Sequence, residues 1–129
     1  MELSWYNSLN KPFLNPPSWI FAPVWGILYI LMFVAFWIMI YSNSNYNKKW
    51  AIVFFIIQLL FNFSWSPIFF YFHNIKLAFV IILLLLIFIC LTTYSFFKIS
   101  KLSAYLLIPY FLWTIFAAYL NFEYIRINL

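Results

Sequence analysis

Charge is the scarcest property of this sequence: Asp, Glu, Lys and Arg together make up 7% of 129 residues, while 68% are hydrophobic. A soluble domain of this size needs several times more charge to cover its surface, so a water-facing globular fold is excluded. Acids are nearly missing, two against seven Lys and Arg. The net charge of +5 is spread over loop positions, and its largest cluster is Lys48-Lys49. A nucleic-acid interface needs a clustered basic face, so no nucleic-acid partner is expected. The cations instead suit lipid headgroups. The single cysteine, Cys90, excludes an internal disulfide. One histidine and one cysteine without close acids argue against a protein metal site. No nucleophile–base pair, phosphate-binding glycine loop or paired carboxylate is visible, so standard hydrolase and kinase chemistry has no footing. The first eighteen residues hold no apolar run long enough for a cleavable signal peptide.

What is present is apolar length. A hydrocarbon core of ~30 Å takes ~20 residues of helix. Four such runs fit, from about Trp19 to Tyr41, Trp50 to Phe72, Lys76 to Phe97 and Leu102 to Tyr124. They are continuous rather than alternating, which excludes barrel strands. The predicted fold is therefore all-α, a polytopic transmembrane helix bundle forming one domain over residues 1–129, with the lipid bilayer as its main partner. Residues 1–18, rich in Pro, Asn and Trp, read as a structured interfacial loop. The third run is almost pure Leu, Ile, Val and Phe and reads as the most lipid-exposed helix. Pro109 predicts a kink in the fourth. Lys11, Lys76 and Arg126 fall on one side, Lys48, Lys49, Lys98 and Lys101 on the other, too even a division to orient the chain.

Polar and aromatic residues within the spans carry the functional signal. Gln58, Asn62, Trp65 and Phe69 recur at i, i+4, i+7 and i+11, on one helical face. The two amides either hydrogen-bond a ligand or join neighbouring helices. Ala22, Trp25, Tyr29 and Met32 form a stripe on the first span, and the adjoining Gly26, the sole glycine, suggests close helix approach. The last span offers Trp113, Phe116, Ala117, Leu120 and Asn121, where small residues beside a tryptophan leave room for something flat. Leu120, Tyr124 and Arg126 fit a sterol-recognition pattern that is common by chance. Glu123 precedes Arg126 by three residues, the spacing of a boundary ion pair. A small ion-coupled exporter needs an ionisable group deep in a span, and the first three runs have none.

Three stretches together resemble the tryptophan-rich sensory protein / translocator protein family, also called the peripheral benzodiazepine receptor family. They are Trp5-Tyr6 followed by LNKPFLNPPSWIFAPVWGILY (residues 9–29), QLLFNFSWSPIFF (58–70) and IPYFLWTIFAAYLNFEYIRIN (108–128). The resemblance implies a helix bundle binding porphyrin or other tetrapyrrole ligands, and in some members sterols, in a sensory, regulatory or transport role. It implies no resident cofactor, though a porphyrin or haem-like ligand. It places Trp25, Gln58, Asn62, Trp65 and Trp113 around the ligand, matches Asn121 and Arg126 to the C-terminal motif, and puts Trp5, Tyr6, Lys11, Pro12, Pro16 and Pro17 in a lid; the stripes add Tyr29, Phe116, Ala117 and Asn121 to the expected ligand contacts. Leu14 stands where many relatives carry a lid tryptophan. In some bacterial relatives the pair matching Trp25 and Trp113 is implicated in light-dependent porphyrin degradation, so a tryptophan-dependent degrading enzyme is the alternative. Family members have five helices. The chain as given starts at Met1, four residues ahead of Trp5, without the family's first helix. An open groove with small and polar residues toward lipid is expected on that ground, and with it association with a second copy as a homodimer or with another partner, or lower stability than a five-helix relative. Short loops favour a multi-pass protein of the bacterial cytoplasmic membrane over the mitochondrial outer membrane.

Overall fold

In lipid no water satisfies a free backbone N–H or C=O, so an apolar chain that crosses the membrane closes its hydrogen bonds within helices. The computed structural model, which describes Leu9 and residues 18–70 and 72–128, follows that rule. Its helices are α1 (Ser18–Ile40), α2 (Lys49–Phe70), α3 (Ile75–Ile99), α4 (Lys101–Leu106) and α5 (Ile108–Asn128). No strand occurs among the described residues. Four segments are long and apolar enough to cross a bilayer: Trp19–Ile40, Lys49–Phe69, Ile75–Ile99 and Lys101–Asn128. The fourth comprises α4 and α5, which meet at Leu107. The break falls two residues before Pro109, whose ring nitrogen has no hydrogen to give the carbonyl one turn earlier.

The helix ends show why the chain turns where it does. Lys48 donates its ammonium to the carbonyls of Ile40 (2.6 Å) and Ser42 (2.7 Å), placing a cation on the negative end of α1. Ser42 donates to the Ile99 carbonyl at 3.3 Å, so the 41–48 loop and the α3–α4 junction share one end of the bundle. At the opposite end His73 takes a left-handed backbone (φ 55°), and the Asn74 side chain accepts the Leu77 N–H at 3.0 Å. Ser100 serves both helices beside it. Its N–H closes α3 on Phe96 at 2.7 Å, and its hydroxyl accepts from Ser103 N–H at the start of α4.

Hydrophobicity cannot drive these helices together, because lipid is as apolar as the helix surfaces; close packing and a few polar contacts must do it. The buried residues of α3 are Ile75, Ala78, Ile82, Leu85, Ile89, Thr92 and Phe96, separated alternately by three and four. That is a heptad seam, the spacing of left-handed knobs-into-holes packing. Helix α1 buries Leu28, Met32, Ala35 and Met39 on the same rhythm, and α2 buries Ala51, Phe55, Gln58 and Asn62. Small residues mark the closest approaches. Ala35 on α1 faces α4, where the buried Ser103 hydroxyl donates to the Ala35 carbonyl, with Ala104 beside it.

Helix α3 is central rather than peripheral. It packs along both α2 and α5 and also meets α4, which corrects the expectation that it is the most lipid-exposed span. Its aliphatic residues look alike, but those on the seam are buried and those between them face outward. Gly26 also departs from expectation. A β-carbon there meets nothing within 4 Å, so it mediates no close approach among the described residues. Helices α1 and α2 are joined mainly through long side chains, such as Phe36 stacked on Phe55 at 4.6 Å. The outer face of α1, with Ile30, Phe33 and Trp37, is exposed.

The seam gives a direct test. Ala78 is fully buried and Leu83 is 42% exposed on the same helix. Ala78→Leu is expected to cost about 1–3 kcal/mol by overpacking, and Leu83→Ala within about 0.5 kcal/mol. Thermal unfolding of the purified variants in one detergent measures both.

Candidate functional site: an uncharged aromatic cavity

Between the helices, toward the His73 end, lies a cavity of about 200 Å³. Helix α1 lines it with Phe21, Ala22, Trp25 and Tyr29, and α2 with Asn62, Trp65, Ser66 and Phe69. Helix α3 adds Ile82 and Leu85; α5 adds Trp113, Ala117, Leu120, Asn121 and Tyr124. Trp25 meets the rings of Trp113 and Tyr110 edge-on, each at 6.4 Å between centroids. Phe21 approaches Trp113 at 6.2 Å, also edge-on. Such T-shaped contacts set the positive edge of one ring against the negative face of another and hold the rings apart as walls.

Two polar chains brace these walls. In the first, Tyr29 donates its hydroxyl to the Asn62 carbonyl oxygen, and the Asn62 amide donates to the Tyr110 hydroxyl at 2.8 Å. Tyr110 donates in turn to Gln58 Oε1 at 2.6 Å, and Gln58 Nε2 reaches the Met32 sulfur at 3.5 Å. This chain ties α1, α2 and α5 together. In the second, the Trp65 indole N–H donates to Asn121 Oδ1 at 2.9 Å, and the Asn121 amide donates to the Ile75 carbonyl at 3.0 Å, tying α2, α5 and α3.

One buried donor beside the cavity is left over. The Trp113 indole nitrogen is buried and has no hydrogen-bond partner. Leaving a buried N–H unmet costs roughly 1–3 kcal/mol. Trp113 borders the cavity, so a ligand acceptor placed there would meet that need. Among the described residues no charged side chain lines the cavity. Glu123 and Arg126 pair with each other, Nε to Oε2 at 3.0 Å, away from it. Among the described residues no group of three His, Cys, Asp or Glu could hold a metal ion.

Trp25, Tyr29, Asn62, Trp65, Trp113, Ala117 and Asn121 thus stand together on the wall. Gln58 does not; it is turned toward Tyr110 and Met32, as the helix-joining alternative for the amides requires. Phe116 also lies off the wall, packed against Trp113 at 5.3 Å. Leu120 and Tyr124 of the sterol pattern are buried and face the cavity, while Arg126 is exposed. Trp5, Tyr6, Lys11, Pro12, Pro16 and Pro17 lie outside the described residues. The sequence reading omitted Ile82, Leu85, Phe21 and Ser66 from the site. The α3 seam would have pointed to the first two; nothing in sequence marked the others.

The sequence model of the TspO/MBR family matches residues 1–127. The chain belongs to that family. It is 42% identical over 127 residues to a tryptophan-rich protein TspO from Chlorobaculum tepidum, covering 97% of this chain and 80% of that one. A tryptophan-rich sensory protein from Cereibacter sphaeroides is 36% identical over 124 residues, 96% and 77% of the two chains. The human translocator protein is 36% identical over 123 residues, 93% and 72% of the two. The TspO/MBR family assignment and the four apolar helices together make this a multi-pass membrane protein.

Tyr110 is the branch point of the first polar chain, both accepting and donating. Tyr110→Phe strands the Asn62 amide hydrogen and Gln58 Oε1 at once and is expected to destabilise the bundle by about 1–2 kcal/mol. Tyr119→Phe, at a 40% exposed ring on the same helix, is expected to be neutral. Denaturation of both variants in a common micelle distinguishes them.

Proposed function

We propose that the chain binds a flat, apolar, aromatic ligand of the porphyrin class in this cavity, as part of a sensory or translocating role. The single observation carrying the proposal is the unpartnered Trp113 indole N–H beside an uncharged wall of aromatic rings. A tetrapyrrole offers faces for the rings and acceptors for the indole. Pockets that enclose a drug-sized ligand run to ~300–1,000 Å³, larger than the 200 Å³ here. A macrocycle therefore enters by one edge, between Trp25, Trp65 and Trp113. Its carboxylates stay at the wet boundary, because among the described residues no cation lines the interior. Burial of the inserted edge contributes roughly 25 cal/mol per Å² of apolar area, less the cost of association. The names of the relatives, a sensory protein and a translocator protein, support the role in outline. A sterol would use the same cavity, since Leu120 and Tyr124 face inward. The short loops favour a bacterial cytoplasmic membrane as its location.

Three of the six tryptophans among the described residues line the cavity. Protoporphyrin is therefore expected to quench part of the tryptophan emission and to saturate. Trp113→Phe should reduce the quenched fraction, and Ala117→Leu, which fills the cavity, should weaken binding at least roughly tenfold, about 1.4 kcal/mol. Both should leave the helical circular dichroism intact. Under illumination a binder leaves the porphyrin absorption band shifted but undiminished. Linear, unsaturable quenching up to ~100 µM, well above the micromolar range near −8 kcal/mol, would sink the proposal.

A further inference from the structure

A second hollow lies on the outside of the bundle, where α3 passes the start of α5. It has a volume of about 330 Å³ and is walled by Cys90, Thr93, Tyr94 and Phe97 of α3 and by Ile108 and Phe111 of α5. It is not continuous in lining with the aromatic cavity, with which it shares no residue.

Three features distinguish it from an ordinary lipid-facing furrow. First, cations cap its upper wall. The Lys98 ammonium sits 4.5 Å from the Tyr94 ring centroid and the Lys101 ammonium 5.8 Å from that of Phe97. Both lysines are exposed. Second, among the described residues these charges have no acid near them. Glu123, the one acid among the described residues, is bound to Arg126 toward the far end of α5, fifteen residues beyond Ile108 and so ~22 Å along the helix. Third, the Thr93 hydroxyl is buried without a hydrogen-bond partner. A threonine in a helix ordinarily bonds back to the carbonyl four residues earlier, as Thr92 does to Phe88 at 2.6 Å.

The vertical order of these groups follows the order of groups in a phospholipid. Lys98 and Lys101 stand at the membrane boundary, where the helix ends at Ile99. Thr93 lies five residues below Lys98, a rise of ~7.5 Å, and Cys90 eight residues below, ~12 Å. A phosphate at the lysines puts glycerol ester carbonyls near Thr93, and a χ1 rotation turns that hydroxyl into the hollow to donate to one. The upper acyl chain then lies along Cys90, Ile108 and Phe111. We propose that this hollow is a binding site for an anionic phospholipid, selected by its headgroup charge and held by its chain. The site stands apart from the porphyrin reading and does not depend on it.

Native mass spectrometry of the full chain in detergent, titrated with phosphatidylglycerol or phosphatidylcholine, tests this. Wild type is expected to retain one phosphatidylglycerol with a preference of roughly tenfold over phosphatidylcholine, from two boundary lysines. Lys98→Gln with Lys101→Gln should erase the preference. Cys90→Phe, which fills the hollow at an exposed position and leaves both cations in place, should lower retention of phosphatidylglycerol by a similar factor. Thr93→Val should weaken retention a few-fold. Equal retention of the two lipids by wild type, or an unchanged preference in the double lysine variant, would overturn the proposal. So would undiminished retention in Cys90→Phe, since the chain would then not lie in the hollow. Displacement of the lipid by millimolar inorganic phosphate alone would also overturn it, by showing a headgroup contact without the chain. Porphyrin quenching should be the same in all of these variants as in wild type, which separates failure of this site from failure of the cavity.

Discussion

Hydrogen bonds between helices in a medium with no competing water are the constraint on which the rest of this bundle depends. Lipid gives apolar helices no reason to prefer each other, so specific association falls to packing and to the few polar groups that must find partners. Here the polar groups are concentrated in two chains. Tyr29, Asn62, Tyr110 and Gln58 join α1, α2 and α5; Trp65 and Asn121 join α2 and α5 to the α3 backbone at Ile75. Both chains run along the cavity. The groups that hold the helices together therefore also fix the ring positions around the empty space, and stability and site geometry rest on the same side chains.

This arrangement explains why a polar-looking set of residues yields an apolar site. Each amide and phenol in the two chains spends its hydrogen bonds on another helix, leaving ring faces and aliphatic surface toward the cavity. Trp113 is the exception. Its ring is held by Trp25, Phe21 and Phe116, but its N–H is not used by the fold. A group that packing positions and the fold leaves unsatisfied is a natural recognition element, because a ligand acceptor there replaces nothing.

Much of this was legible in the sequence, and the gaps have physical causes. Run length and the absence of charge were enough for four membrane-crossing segments, since the bilayer permits few alternatives. The stripes on α1, α2 and α5 were readable because Trp, Asn and Gln stand out against lipid-facing residues. Helix α3 was misjudged for the opposite reason. In a helix apolar on every face, amphipathic contrast vanishes, and only the three–four spacing of Ala78, Ile82, Leu85, Ile89 and Thr92 betrays the seam. Gly26 misled because a missing side chain permits close approach without requiring it. Gln58 and Phe116 lie on the right helices, but a few tens of degrees of helix rotation separate facing the cavity from facing a neighbour. The hollow beside Cys90 was invisible in sequence, because it depends on where α5 resumes after the break at Leu107.

The indole N–H resonances offer the most direct measurement. In ¹⁵N-tryptophan-labelled protein, the Trp113 indole proton is free of a hydrogen bond, the Trp65 proton is bonded to Asn121, and exposed Trp19, Trp37 and Trp50 serve as references. Adding protoporphyrin should shift the Trp113 indole resonance most strongly and in a saturable way. Trp25 and Trp65 should move less, by ring-current effects, and the exposed indoles should stay where they are. A spectrum in which Trp113 is unmoved while the exposed tryptophans shift would show the macrocycle on the lipid-facing surface, and would contradict a cavity that recognises it.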